Sequence, residues 1–174
     1  IAILSLALGI GANTAIFDVV DEQTGRTVTL KLVRPKLAAS PTFRNRFDET
    51  MRAVASLSHP NIAAVYDWGI ARVGETSTAY VVNEYLSGGS LKDRKTIGPD
   101  GKHQPVQLGA LVEWLGHVAT ALDFIHGKSY IHRDVKPGNI LFDKHGYAYL
   151  SDFGIAKVLA TSSMDSSSDN RFRT

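Results

Sequence analysis

The 174-residue chain is 44% hydrophobic and 21% charged, an ordinary globular composition with room for one substantial core or two small lobes, and this excludes a disordered chain. Its 19 Lys and Arg against 17 Asp and Glu leave a formal charge of +2 without a clustered basic stripe, so a nucleic-acid surface is not expected. There are no cysteines, which excludes a disulfide framework and thiolate zinc sites and suits a reducing compartment; the six histidines are scattered without metal-ligand spacing. The chain begins at Ile1 and stops at Thr174 within a Ser/Asp-rich stretch, and is expected to be a piece of a longer protein.

Residues 1–17, IAILSLALGIGANTAIF, carry no charge. A bilayer-spanning helix needs about 20 predominantly apolar residues, and Asp18, Asp21 and Glu22 follow at once. The stretch resembles the first transmembrane segment of some bacterial ABC-transporter permeases, which keeps open a membrane segment or a permease piece joined upstream. The competing reading is two strands, 3–8 and 15–20, joined by a turn at Gly9-Ile10-Gly11. Thr24-Gly25 marks a second turn before an alternating strand at 27–33. After a linker at 35–41, the spacing predicts an amphipathic helix over 42–57, ended by Ser58-His59-Pro60. Strands at 62–68 and 79–85 flank a polar turn at 74–78.

Ser87-Gly88-Gly89 breaks this pattern, and the remainder reads as helical. A short helix is expected near 90–94, a polar loop at 97–105 and a long helix over 108–126. Leu111, Leu115, Val118, Leu122 and Ile125 recur in it at helical spacing and are taken as core. The tail 161–174 reads as a loop.

The densest chemistry lies in 132–154, HRDVKPGNILFDKHGYAYLSDFG, where two polar clusters place Asp134 and Asp152 eighteen residues apart around an apolar, hairpin-like segment. Either aspartate alone could merely cap a turn. Together, His132-Arg133-Asp134 with Lys136 and Asn139, followed by Asp152-Phe153-Gly154, resemble the catalytic loop and metal-binding loop of the protein kinase family. Phosphoryl transfer requires positioning and charge neutralisation more than covalent help, which explains a base, a cation and hard oxygen ligands in fixed order. The resemblance implies Asp134 as the base for a substrate hydroxyl, Lys136 as a cation near the transferring phosphate, and Asn139 and Asp152 as ligands of Mg²⁺.

The same resemblance extends upstream. Val28-Thr29-Leu30-Lys31 is similar to the strand motif whose lysine pairs the α- and β-phosphates of ATP. Gly9 precedes Lys31 by twenty-two residues, the family's separation between its phosphate loop and this lysine, which favours the strand reading of the N-terminus. Gly9 and Gly11 would then cradle phosphates, with Thr14 where a third glycine is usual. Asn83-Glu84-Tyr85-Leu86 would be the hinge, with main-chain groups of Glu84 and Leu86 bonding adenine and Ile16 and Leu141 closing on its ring. His132, Phe153 and Val54 fit the apolar column that joins the lobes.

The implied fold is α+β and bilobal: a small antiparallel-sheet lobe with one helix at 1–82, a hinge at 83–89, and a partial, mainly helical large lobe at 90–174 ending in the activation loop. The implied function is a bacterial-type Ser/Thr protein kinase using ATP and Mg²⁺ on a protein hydroxyl. It would reside in the cytoplasm, or form the cytoplasmic domain of a membrane-anchored kinase, with membrane association only through missing segments or residues 1–20. One departure supports an alternative, an ATP-binding pseudokinase with weak or no transfer. Where the family has a glutamate facing the strand lysine, counting back from His59 reaches Thr50, and Glu49 is about 100° away around the helix. Asn83 and Thr29 add polar groups beside the expected adenine position.

Overall fold

The computed structural model describes residues 14–33, 38–94 and 108–153. The expected strand at 3–8, Gly9, Gly11, the loop at 97–105, Gly154 and the tail 161–174 lie outside these residues. The described residues divide into two units, one comprising 14–33, 38–56 and 64–85, the other 57–63, 86–94 and 108–153.

In the first unit, β1 (Thr14–Val20) and β2 (Thr27–Val33) form an antiparallel hairpin. Its turn is closed by Asp21, whose carboxylate accepts from the Gln23 N–H at 3.0 Å and the Thr24 hydroxyl at 2.7 Å, while Gly25 takes φ +67°. These two hydrogen bonds, the Thr24 one foremost, hold the Asp21 carboxyl below its usual range. β3 (Val65–Val73) and β4 (Thr76–Glu84) pair through a two-residue turn at Gly74-Glu75, with Gly74 at φ +62°. The sheet order is β1-β2-β4-β3. Alternation sends Val28, Leu30, Leu32 and Val82 to one face, packed with Ala15, Phe17, Val19 and Tyr80. Thr29, Lys31, Val81 and Asn83 consequently occupy the other.

Helix α1 (Pro41–Ala55) starts where Ser40 accepts the Phe43 N–H at 3.3 Å and Pro41 occupies the first turn. Phe43, Phe47, Met51 and Val54 make its buried stripe, and the first two rings stack at 5.6 Å. The helix meets β3 through Trp68 Nε1, which donates to Asp48 Oδ1 at 3.1 Å.

The second unit contains α2 (Leu108–Gly127), β5 (Ile140–Phe142) and β6 (Ala148–Leu150), the last two forming a hairpin. The segment 57–63 joins this hairpin: Ala63 N–H donates to Leu150 O at 3.0 Å and Leu150 N–H to Asn61 O at 2.9 Å. This corrects the expected strand at 62–68, because Ile62 is committed to a bridge with Leu150 and β3 starts only at Val65. Gly88 lies against β5 so closely that a Cβ would meet Asp143 O at 2.3 Å, which demands glycine.

The expected short helix near 90–94 is a hydrogen-bonded turn instead. Ser90 is capped by Asp93, while Leu91 N–H donates to Ile140 O at 2.8 Å and Lys92 N–H to Pro137 O at 3.1 Å, tying the segment to its neighbours. On α2, Val118, Ala121 and Ile125 are buried, but Leu115 is 50% exposed and is not core. The hairpin packs on the later turns of the helix, where His117 Nδ1 accepts the Ala148 N–H, and Leu115 lies before them. No described helix is long and apolar enough to cross a membrane.

α2 ends in a Schellman arrangement, with Tyr130 N–H bonded to Ile125 O and Ser129 N–H to His126 O, both at 2.9 Å. Ser129 stands at φ +58°, a left-handed position that glycine takes without Cβ crowding. Ser129→Gly is expected to stabilise the protein by about 0.5 kcal/mol, net of the greater freedom of the unfolded chain. A chemical-denaturation midpoint that moves upward checks this.

Candidate active site

The helix stop at Ser129 turns the chain into 130–139, and the buried His132 anchors that loop. Its Nδ1 accepts the Asp134 N–H at 3.2 Å, so the ring proton sits on Nε2, which donates to the Ser151 carbonyl at 2.8 Å. The ring also lies 4.5 Å from that of Phe153. Burial pushes the His132 pKa below its usual value, against the hydrogen bond to Ser151 and the nearby Asp134 and Asp152, which favour the charged form.

Ser151 makes a second tie. Its N–H donates to Asn139 O at 2.9 Å and its hydroxyl to the same oxygen at 3.2 Å. Three hydrogen bonds through one buried serine therefore join the HRD segment, the turn at Pro137–Asn139 and the strand leading to Asp152. Arg133 at φ +67° and Asp152 at φ +65° are held in left-handed backbone beside these ties. Such positions cost about 1–3 kcal/mol each and persist where the surroundings over-determine them.

Asp134 receives two donors on one oxygen: Lys136 Nζ reaches Oδ2 at 2.7 Å and Asn139 Nδ2 reaches it at 2.9 Å. Asn139 Nδ2 also donates to Asp134 O at 2.8 Å. The carboxylate is thereby fixed in rotation, with Oδ1 the oxygen on offer to a further donor. The half-buried Asp134 contrasts with Lys136, whose side chain is 55% exposed and can follow a ligand.

The second unit thus brings together Asp134, Lys136 and Asn139, with Asp152 next in chain to the serine that braces them. Leu141, on β5, pairs with Tyr149 and bridges to Ser90, and Leu86 is buried. In the first unit Lys31 is buried on β2, opposite the exposed Ile16 of β1, on the sheet face it shares with Asn83. Glu84 N–H donates to Ala64 O at 2.9 Å, and its Oε2 accepts from Ala64 N–H at 3.2 Å. The amide of Glu84 is therefore committed, and of its main-chain groups the carbonyl is the one to consider for a ligand. Glu49 is exposed, whereas Thr50 is half-buried beside Phe47 and Met51 on the inward side of α1. Val54 is buried on the same helix.

Ser151 was not singled out by its sequence; a serine before an aspartate carries no spacing signal of its own, and only the fold shows that it bonds two separate loops.

His132 gives the loop a pH dependence. Its folded pKa is lowered, so as pH falls from about 7 toward 5 the unfolded chain takes up the proton first and the stability due to the neutral ring is lost. His132→Asn is expected to melt well below the parent at neutral pH, with a deficit of about 2–3 kcal/mol, and the deficit should shrink across that window. Thermal melts of both proteins at several pH values measure it.

Among known proteins, residues 4–172 match the family described as Protein kinase domain. Similar relatives include the serine/threonine-protein kinase PknB of Mycobacterium leprae, 37% identical over 155 residues, which are 89% of this chain and 24% of that protein. The serine/threonine-protein kinase PknA of Mycobacterium tuberculosis is 34% identical over 157 residues, 90% of this chain and 35% of its own length. A probable serine/threonine-protein kinase of Streptomyces coelicolor is 34% identical over 161 residues, covering 92% of this chain and 23% of that protein. The chain spans about a quarter to a third of the length of these relatives.

Proposed function

Because the chain belongs to the protein kinase domain family, we propose that the protein containing it transfers the γ-phosphoryl of ATP to a serine or threonine hydroxyl of a protein substrate. The observation that carries this reading is the Asp134 carboxylate, fixed by Asn139 and Lys136 on Oδ2. A hydroxyl hydrogen-bonded to the other oxygen would be oriented for attack and could pass its proton to the carboxylate, while Lys136, already beside it, supplies positive charge for the phosphate. Holding these groups in place is the main task in this reaction.

Asn139 and Asp152 would hold Mg²⁺. The donor set fits: Asn139 spends its amide nitrogen on Asp134, which leaves its carbonyl oxygen, a hard donor, for the cation. Mg²⁺ takes one or two protein carboxylates and completes its shell with phosphates and water, so Asp152 with the Asn139 oxygen would be a sufficient protein share. When bound, the ion neutralises charge on the transferring phosphates.

In this reading, Ile16, Lys31 and the Glu84 carbonyl contribute the first unit's part in holding ATP, and Leu86 and Leu141 the second's, with Gly9 and Gly11 for the phosphates. The small and large lobes correspond to 1–82 and 90–174 with a hinge at 83–89, and the change of unit between Tyr85 and Leu86 supports it. A cytoplasmic location is part of the same proposal and suits an ATP-dependent enzyme without cysteines.

Asp134→Asn keeps the size and much of the hydrogen bonding but removes the base, and transfer of labelled phosphate by the full-length protein should fall about 10²–10⁴-fold. ATP binding, measured separately, should persist. The kinase reading fails if the full-length parent transfers no label to itself or to a generic protein substrate.

The exposed Glu49 and inward Thr50 favour a second reading, a nucleotide-binding module with weak transfer. Thr50→Glu would add a carboxylate on the inward side of α1. A rise in labelled-phosphate transfer of about tenfold or more is expected if orientation of ATP limits the rate; a parent as active as the variant removes the second reading.

A further inference from the structure

The sheet face that carries Lys31 also carries a polar row that the proposed transfer chemistry does not use. Asp18, Thr29 and Asn83 are successive cross-strand partners on β1, β2 and β4, and therefore share that face. Thr29 Oγ1 donates to Asp18 Oδ1 at 3.2 Å, which settles the hydroxyl proton. Asn83 has no such outlet: its Nδ2 is buried and makes no hydrogen bond. Its same-face neighbour on β4, the buried Val81, has no acceptor in its side chain to offer. A buried amide donor left in this way is costly and calls for an explanation.

We propose that Asn83 is a specificity-determining residue whose Nδ2 donates to the N7 acceptor of the adenine base. The inference rests on the kinase reading above. If main-chain groups at Glu84 and Leu86 take the N1/N6 edge, a side chain one residue before Glu84 is placed for the adjoining N6/N7 edge. That edge is the one an asparagine amide matches, because it presents a ring acceptor beside an amino donor. Guanine keeps N7 but presents oxygen in place of the amino group, so an asparagine amide set against both atoms would turn its Oδ1 toward O6 and count against guanine. The leucine-sized apolar residue that would suit the sheet is absent from this position, and the donor that replaces it acquires a partner when the base arrives.

The test compares binding of ATP, 7-deaza-ATP and GTP, each with Mg²⁺, to the full-length protein and to Asn83→Leu. The 7-deaza analogue keeps the N1/N6 edge and lacks the N7 acceptor. The parent should bind ATP about fivefold to tenfold more tightly than 7-deaza-ATP, the worth of one hydrogen bond. In Asn83→Leu the two affinities should agree within about twofold, the preference over GTP should narrow, and the ligand-free protein should melt higher because the orphaned donor is gone. If Asn83→Leu does not fold, Asn83→Ala provides the same comparison. Equal discrimination against the 7-deaza analogue in parent and variant, or none in the parent, overturns the assignment. Absence of binding by all three nucleotides would instead bring down the kinase reading, and this proposal with it.

Discussion

One neutral imidazole constrains the rest of the segment 130–139. His132 can accept from the Asp134 N–H and donate to the Ser151 carbonyl only with a single ring proton, on Nε2. A second proton would remove the acceptor and leave a cation in a site exposed by 1%. The ring also rests on Phe153, so the same side chain sets the course of the backbone on both sides of Asp134 and steadies the segment carrying Asp152. Left-handed backbone at Arg133 and Asp152 accompanies these fixed points, between which the chain turns sharply.

Ser151 and Asn139 extend the constraint from backbone to chemistry. With its carbonyl oxygen tied to the Ser151 N–H and hydroxyl, Asn139 has a fixed main chain, and its amide nitrogen can then span both the carbonyl and carboxylate of Asp134. An asparagine is better suited here than an aspartate: it donates to Asp134 with one end and presents a neutral oxygen with the other, so Asp134 and Asp152 need not repel across a third carboxylate. Lys136 then completes the charge around Oδ2 from the exposed side. The Asp134 carboxylate is thus oriented by a buried polar network in which each bond restricts the next.

What could be read from the sequence was whatever repeats along it. β2 followed from alternation after the Thr24-Gly25 turn, β1 from the Gly9–Lys31 separation and α1 from the spacing of its apolar residues, whereas β4 begins at Thr76, inside the turn expected at 74–78. The sequence singled out Asp134, Lys136 and Asn139 by their order, and the fold brings these three side chains together. Contacts distant in sequence were not legible. Ile62 looks like strand, yet it belongs to the second unit, where its partner is Leu150 of the β5–β6 hairpin, so β3 begins later. Leu115 keeps helical spacing with buried neighbours but precedes the turns that the hairpin covers. Glu84 carries a free-looking amide in any sequence; only pairing with Ala64 reveals that it is committed.

The first unit shows a different kind of departure, one in which local preference and position disagree. A sheet with valine, leucine and alanine at its buried positions would gain from an apolar residue at 83, and the asparagine there forgoes that gain while burying a donor. Thr29, in the same row, avoids the difficulty by donating to Asp18, so the strand pairing itself does not impose an unsatisfied group. The cost is confined to one atom, on the face shared with Lys31 and one residue before Glu84. Where consistency between sequence and fold fails at a single atom amid otherwise well-matched strands, a ligand that completes the bond is a more economical account than a flaw of the fold.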